Sequence, residues 1–386
     1  MSIVSYIAIC FILAFYGLIN YYIGIKGWQI LSSLIPFLNS KIYWFIFWLL
    51  AFSYIAARFA GKLLPGFVNY ILTVTGAYWL GALVYFTLII AVLKLVTLLD
   101  KWMGFLPAWL KQSPAAPISG LIVILAVASI LAYGTWNANN PRVRHYDISI
   151  PKQAGEISGL HAAVVSDVHL GTIVGKERLK KMVDMINAQK PDIVFIAGDI
   201  IDEDIGPFIK QNMSEHLRSL KTKYGVYFSL GNHEYYGGHL EDIVKHLSEA
   251  GVIVLRDRYI KIADSFYVAG REDKAAEHSG GKSRKKLSDL TAGIDKNFPV
   301  ILLDHQPSNL KEPEEQGIDL QLSGHTHRGQ MYPFNYITGI IFEDDWGYLK
   351  KGSLQVIVSS GFGTWGPPIR VGNKPELVDI TIRFTG

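Results

Sequence analysis

Five short segments combine residue types that bind divalent cations. Asp167-Val168-His169, Gly198-Asp199-Ile200-Ile201-Asp202, Gly231-Asn232-His233-Glu234, Asp304-His305 and Gly324-His325-Thr326-His327 follow one another along the chain. Asp-x-His and His-x-His each put two ligands on one short turn, and a carboxylate can bridge two cations. Carboxylate, amide and imidazole donors without a thiolate favour Mn, Fe or Zn in a catalytic setting over a structural zinc. Two such ions close together can hold a hydroxide and stabilise both the attacking and the leaving oxygen of a displacement. Glycines ahead of Asp199, Asn232 and His325 permit tight turns close to a ligand. Taken singly each segment is weak, because Asp-x-His arises by chance and most lone histidines are structural or exposed. The conjunction carries the signal.

These segments need rigid elements behind them, and the pattern supplies strands. The sequence predicts β runs at His145 to Ile150, Ala162 to Ser166, Ile193 to Ala197, Val226 to Leu230, Val300 to Asp304 and Leu320 to Ser323. Helices are expected between them, for example over Lys176 to Ala188 and Leu240 to Glu249. Continuous Val/Ile/Leu runs suit strands buried on both faces, and strand–helix alternation argues an α/β domain. Each of the five segments directly follows a predicted strand, where open α/β sheets bind their ligands.

The N-terminal part has a different composition. Hydrophobic residues make up 50% of the 386-residue chain and charged residues 18%, and the mean hydropathy is +0.23. Before Pro141 the one acidic residue is Asp100 and there is no histidine. So abrupt a shift marks two solvents, lipid and water. A bilayer core needs about 20 apolar residues per helix. Candidate spans run from Ile3 to Ile25, Ile42 to Ala60, Tyr70 to Leu99 and Ile118 to Trp136, the third too long for one straight crossing. Pro36, Pro65-Gly66, Pro107, Pro114 and Pro117 punctuate them, and Trp28, Trp102, Trp109 and Trp136 suit the interfacial belts. Lys26 and Lys41, Arg58 and Lys62, then Lys101 and Lys111 fall in successive loops, so the positive-inside count nearly cancels. The first apolar run lacks the Lys/Arg cluster of a secretory signal and reads as a retained helix. The spans contain no set of ionisable residues suited to transport. The expected organisation is a transmembrane anchor over 1–140 and a catalytic domain over 141–386.

At a net charge of +4 and a pI of about 8.8 the chain has no nucleic-acid footprint, and no nucleic-acid partner is expected. The single cysteine, Cys10, excludes an intrachain disulfide.

From about Tyr146 onward the motifs resemble those of the calcineurin-like metallophosphoesterases. That resemblance implies a four-layer αββα sandwich, here preceded by an all-α four-helix transmembrane region. It implies that Asp167, His169 and His327 hold one metal, that Asn232, His305 and His325 hold the other, and that Asp199 bridges them. It implies His233 as the general acid, Asp202 as its orienting partner, and Asn232 with His233 as phosphate contacts. The tail, with Ser359-Ser360-Gly361-Phe362-Gly363, Pro368-Ile369-Arg370 and Pro375-Glu376, resembles a bacterial branch whose members are often membrane-tethered. Some of that branch act on lipid-linked or nucleotide-sugar phosphoesters. The expected partners are therefore a phosphoester substrate, with a lipid-linked one as a candidate, and membrane lipid. The expected location is a bacterial plasma membrane. Glu203-Asp204 stands where Ser/Thr protein phosphatases have Arg-Gly, which argues against a phosphoprotein substrate. The rival reading is a non-catalytic membrane receptor or scaffold, but no ligand of the set is missing.

Two features have open readings. Arg328 faces substrate or solvent. The charged stretch Glu272 to Lys296, with Gly280-Gly281 and the basic Lys282, Arg284, Lys285 and Lys286, is a solvated insertion or a mobile lip over anionic headgroups.

Overall fold

The computed structural model describes residues 3–61, 63–108, 115–278 and 283–386. Lys62, Trp109, Lys111, Pro114, Gly280, Gly281 and Lys282 lie outside the described residues. The chain forms two compact units, Met1–Gly134 and Thr135–Gly386.

The first unit is built from α1 (Ile3–Leu34), α2 (Ser40–Ala60), α3 (Gly66–Met103) and most of α4 (Ala115–Ala138). All four helices are long and apolar enough to cross a membrane. Asn39 caps α2, its side chain accepting from the backbone N–H groups of Lys41 and Ile42. The expected third span is one continuous helix, and it ends on Gly104 in the left-handed conformation. Close packing needs a small residue where α3 meets α2: a Cβ on Gly76 would lie 2.3 Å from the Tyr54 backbone nitrogen. A buried hydrogen bond from Trp79 Nε1 to Asn20 Oδ1 (2.8 Å) joins α3 to α1.

The second unit begins with the last turn of α4, ahead of the boundary expected from composition. Asn137 explains this. Its side-chain amide donates to the carbonyls of Arg370 (2.9 Å) and Asn373 (2.6 Å).

Twelve strands follow: β1 (Arg142–Ile150), β2 (Gly159–Val165), β3 (Ile193–Ala197), β4 (Val226–Ser229), β5 (Val252–Leu255), β6 (Arg258–Ile262), β7 (Phe266–Gly270), β8 (Val300–Leu303), β9 (Leu320–Ser323), β10 (Gly347–Lys351), β11 (Leu354–Val358) and β12 (Glu376–Phe384). They form two six-stranded sheets, ordered β1-β12-β2-β3-β4-β5 and β10-β11-β9-β8-β7-β6. Pairing is parallel from β2 through β5 and from β7 through β9 on to β11. The antiparallel pairs are β12–β2, β6–β7 and β10–β11.

Between the sheets lies a core that includes Leu160, Val164, Phe195, Phe266, Ile301 and Leu322. Helices cover the outer faces, giving the expected αββα layers. Leu179, Met182, Val183 and Ile186 recur at helical spacing on the helix Lys176–Gln189 and pack on the first sheet. Leu287, Leu290 and Leu310 cover the second. The charged insertion therefore belongs partly to this outer layer. Arg284 pairs with Asp304, Lys285 donates its backbone N–H to Asp257, and Glu272 pairs with Arg256. Among its described residues Lys285 and Lys286 keep exposed side chains, while Arg284 and Glu272 are held by ion pairs.

Phe228 of β4 is fully buried in the core under the first sheet's helices. Phe228→Ala is expected to destabilise the second unit by roughly 3–5 kcal/mol, read as a lower urea midpoint for loss of its near-UV circular dichroism in the detergent-solubilised chain.

Candidate metal centre

Three strand ends of the first sheet and two of the second deliver the candidate ligands to one place. β2 leads to Asp167 and His169, β3 to Asp199, and β4 to Asn232 and His233. β8 leads to His305, and β9 to His325 and His327. Asp167, His169 and His327 form one group whose ligand atoms lie within 4.8 Å of one another, and Asp199, His305 and His325 form a second. Asp199 also groups with His169 and His233, which puts it between the two. Asn232 joins the second group, its Oδ1 lying 2.9 Å from His325 Nδ1. Asp304, next to His305, turns away toward Arg271 and Arg284.

The turns are shaped by close packing. Asp167, His169, Asp199, His325 and His327 all have positive φ, a conformation that Asp, Asn and His tolerate better than most side chains. Gly198, at φ +83, lies so near His305 that a Cβ there would come within 2.2 Å of its Nδ1. Gly231 and Gly324 press equally closely on Asp199 and Asp167. The tail segment Gly361-Phe362-Gly363 closes over the first turn, with Phe362 N–H donating to Ser166 O and Gly363 N–H to Asp167 O.

Hydrogen bonds then fix the rings. His305 Nδ1 lies 2.8 Å from the Ala197 carbonyl and donates to it, and its Nε2 lies 3.1 Å from Asp199 Oδ2; burial opposes its charged form, but Asp199 outweighs that and holds its pKa well above the ordinary imidazole value. His169 Nε2 and His327 Nε2 face each other at 3.0 Å. Lone pairs aimed at a common point are what a cation satisfies, and a carbonyl behind the ring is the usual support for a ligating histidine. The donor set fits divalent metal ions. Burial lowers His169 to about 4 and His325 to about 3, and it holds His327 well below its ordinary value. These are neutral rings, the form that ligates. Burial opposes ionisation of Asp199, but His305, His233 and His169 outweigh it and hold the carboxyl well below the usual range.

His233 is placed differently. Its backbone N–H donates to Asp199 Oδ1 (2.9 Å), and its Nδ1 lies 3.1 Å from Asp202 Oδ1. Burial lowers its pKa, but the bond to Asp202 and the charge of Asp199 outweigh that, so it lies above the ordinary imidazole value. Tyr236 and Trp365 flank the ring at 5.5 and 5.9 Å between centroids. Arg328 is held over the Trp346 ring, 3.7 Å from its centroid.

Two residues without a role in the sequence reading complete the site. Glu234 is fully buried, and its carboxylate accepts from the backbone N–H groups of Gly231 (2.7 Å), Asp199 (3.1 Å) and Ile201 (3.0 Å). It thereby clamps the turns after β3 and β4 together. Arg370, also fully buried, donates to the carbonyls of Gly361 and Gly363 and reaches His327 Nδ1 at 3.3 Å. A lone Glu after His233 and a lone Arg in the tail gave no periodic signal. The one available hint was an ionisable residue within a glycine-rich stretch.

The pattern of the family described as calcineurin-like phosphoesterase matches residues 160–329. An uncharacterised metallophosphoesterase of Aquifex aeolicus is 34% identical over 250 residues, covering 64% of this chain and 93% of that protein. A transmembrane protein with metallophosphoesterase domain from Danio rerio is 31% identical over 278 residues, covering 68% of this chain and 62% of the relative. A solved dimetal phosphatase from Danio rerio aligns at 14% identity with a TM-score of 0.36, over 58% of this chain and 99% of that one. The chain thus spans less than two thirds of the Danio rerio transmembrane relative, but nearly the whole of the Aquifex one. With its Asp, Asn and His turns on an αββα sandwich, this chain belongs to the calcineurin-like family of metal-dependent phosphoesterases.

Proposed function

We propose that this chain is a multi-pass membrane enzyme, in the plasma membrane of a bacterial cell, that hydrolyses a phosphodiester or pyrophosphate with two divalent cations, Mn, Fe or Zn. A lipid-linked or nucleotide-sugar ester is the substrate class it suits. One observation carries the reading: five turns from two sheets aim carboxylate, amide and imidazole donors at two adjoining points, with Asp199 between them.

In this reading Asp167, His169 and His327 hold one cation, Asn232, His305 and His325 hold the other, and Asp199 touches both. Bound there, the pair supplies Lewis acidity to the phosphoryl group and to the attacking water. The protein's own groups do the rest. Asn232 and His233 meet the phosphate, Asn232 through its amide and His233 through its ring. Asp202 accepts from His233 Nδ1, fixing the tautomer in which Nε2 carries the proton given to the leaving oxygen. Glu234 keeps the turns bearing Asp199 and Asn232 in register.

Three outcomes test this. The detergent-purified chain, supplied with Mn2+, should release p-nitrophenol from bis-p-nitrophenyl phosphate and stop when a chelator is added; absence of hydrolysis with metal bound would favour a scaffold. His233→Ala should retain its metal by elemental analysis while turnover falls roughly 10²–10⁴-fold; normal turnover would refute the general-acid role. Gly198→Ala should bind metal roughly 10–100-fold more weakly, because its Cβ displaces His305; unchanged affinity in a metal titration would contradict the packing.

A further inference from the structure

We infer that the ligand-bearing end of the sandwich docks on the lipid surface, through an apolar face formed by Tyr332, Tyr336, Ile337, Ile340 and Ile341. This rests on reading the four apolar helices as membrane spans.

Strand direction gives the first argument. β12 runs antiparallel to β2, with Val378 opposite Val164, two residues before Ser166 and three before Asp167. β1 runs parallel to β12 and starts at the pair Arg142↔Glu376. Arg142 therefore lies at the sheet end from which Asp167 emerges. The last turn of α4, a candidate span through Ala138, enters the unit at that same end.

A short covalent and hydrogen-bonded path leads from the last turn of α4 to the apolar face. Asn137 in that last turn is bonded to the carbonyls of Arg370 and Asn373. The strip between them pairs with the segment after the ligands: Met331 bridges to Val371, and Tyr332 N–H donates to Val371 O (2.8 Å). From there the chain enters the helix Asn335–Ile341, which has no buried residue. Ile340 is 84% exposed, Ile341 65% and Tyr336 61%. Trp136, at the end of the span, is 57% exposed.

Exposed aliphatic side chains edged by Tyr and Trp have the composition of a bilayer interface. Of the acids that follow the helix, Glu343 pairs with Lys351 and Asp345 accepts from the Thr338 hydroxyl, while Asp344 Oδ2 is buried without a hydrogen bond. The face continues directly from the metal turns, since Gly329 packs on the backbone of Phe334 and Asn335. Docking would bring the mouth beside His233, flanked by Trp365, to headgroup level.

The test uses the full chain with Cys10→Ser, reconstituted in phosphatidylcholine vesicles. Single cysteines at Ile340 and, separately, Tyr336 carry an environment-sensitive fluorophore. Phe45, exposed on α2, reports the spans. Lys296, exposed just before β8 and so at the far end of the sheets, reports water. The expected result is blue-shifted emission at Ile340 and Tyr336, quenched by lipid spin-labelled near the headgroup, with the Lys296 label unaffected. Quenching at Phe45 but at neither Ile340 nor Tyr336 would overturn the docking. Loss of quenching at Phe45 as well would sink the membrane reading, and the docking with it.

Discussion

The active end of this protein is governed by a backbone constraint. Asp167, His169, Asp199, His325 and His327 must all hold left-handed φ values for their side chains to converge. Each such residue costs roughly 1–3 kcal/mol in strain, so the turns persist only if their surroundings leave no alternative. Two devices provide that. Gly198, Gly231 and Gly324 let neighbouring turns approach closer than any Cβ would allow. Glu234 and the carbonyl of Ala197 then tie the turns and rings from below. Beneath them, fully buried strands such as β3 act as an unyielding floor.

That hierarchy explains what could be read from the sequence. β2, β3, β4, β8 and β9 are short apolar runs because parallel strands in a sandwich are covered on both faces. The ligand residues follow them at once, so motif and element reinforced each other. β5 to β7 and β10 to β12 were not legible. β6 and β10 are short antiparallel hairpin strands interrupted by charged residues such as Lys261 and Lys350, and no Asp-x-His or His-x-His motif follows β5, β7, β11 or β12 to mark them. The supporting groups were hidden for another reason: Glu234 and Arg370 act through backbone atoms brought together by the fold. The basic stretch was legible in part, since Lys285 and Lys286 are exposed. Composition alone could not show that Arg284 would turn inward onto Asp304.

The division of the chain follows from its two solvents. In the first unit the apolar helices satisfy their backbone internally, and Trp79 donates to Asn20 inside the bundle. In the second, ionisable groups are concentrated at one end of two sheets. Asn137, in the last turn of α4, belongs to this second unit, and its amide donates to the carbonyls of Arg370 and Asn373.

The most direct measurement of the central claim is anomalous diffraction from crystals of the full-length protein grown with Mn2+. The account predicts two peaks, one among Asp167, His169 and His327, the other among Asn232, His305 and His325, with Asp199 in contact with both. A single peak, or density elsewhere with Asp199 touching no ion, would contradict it.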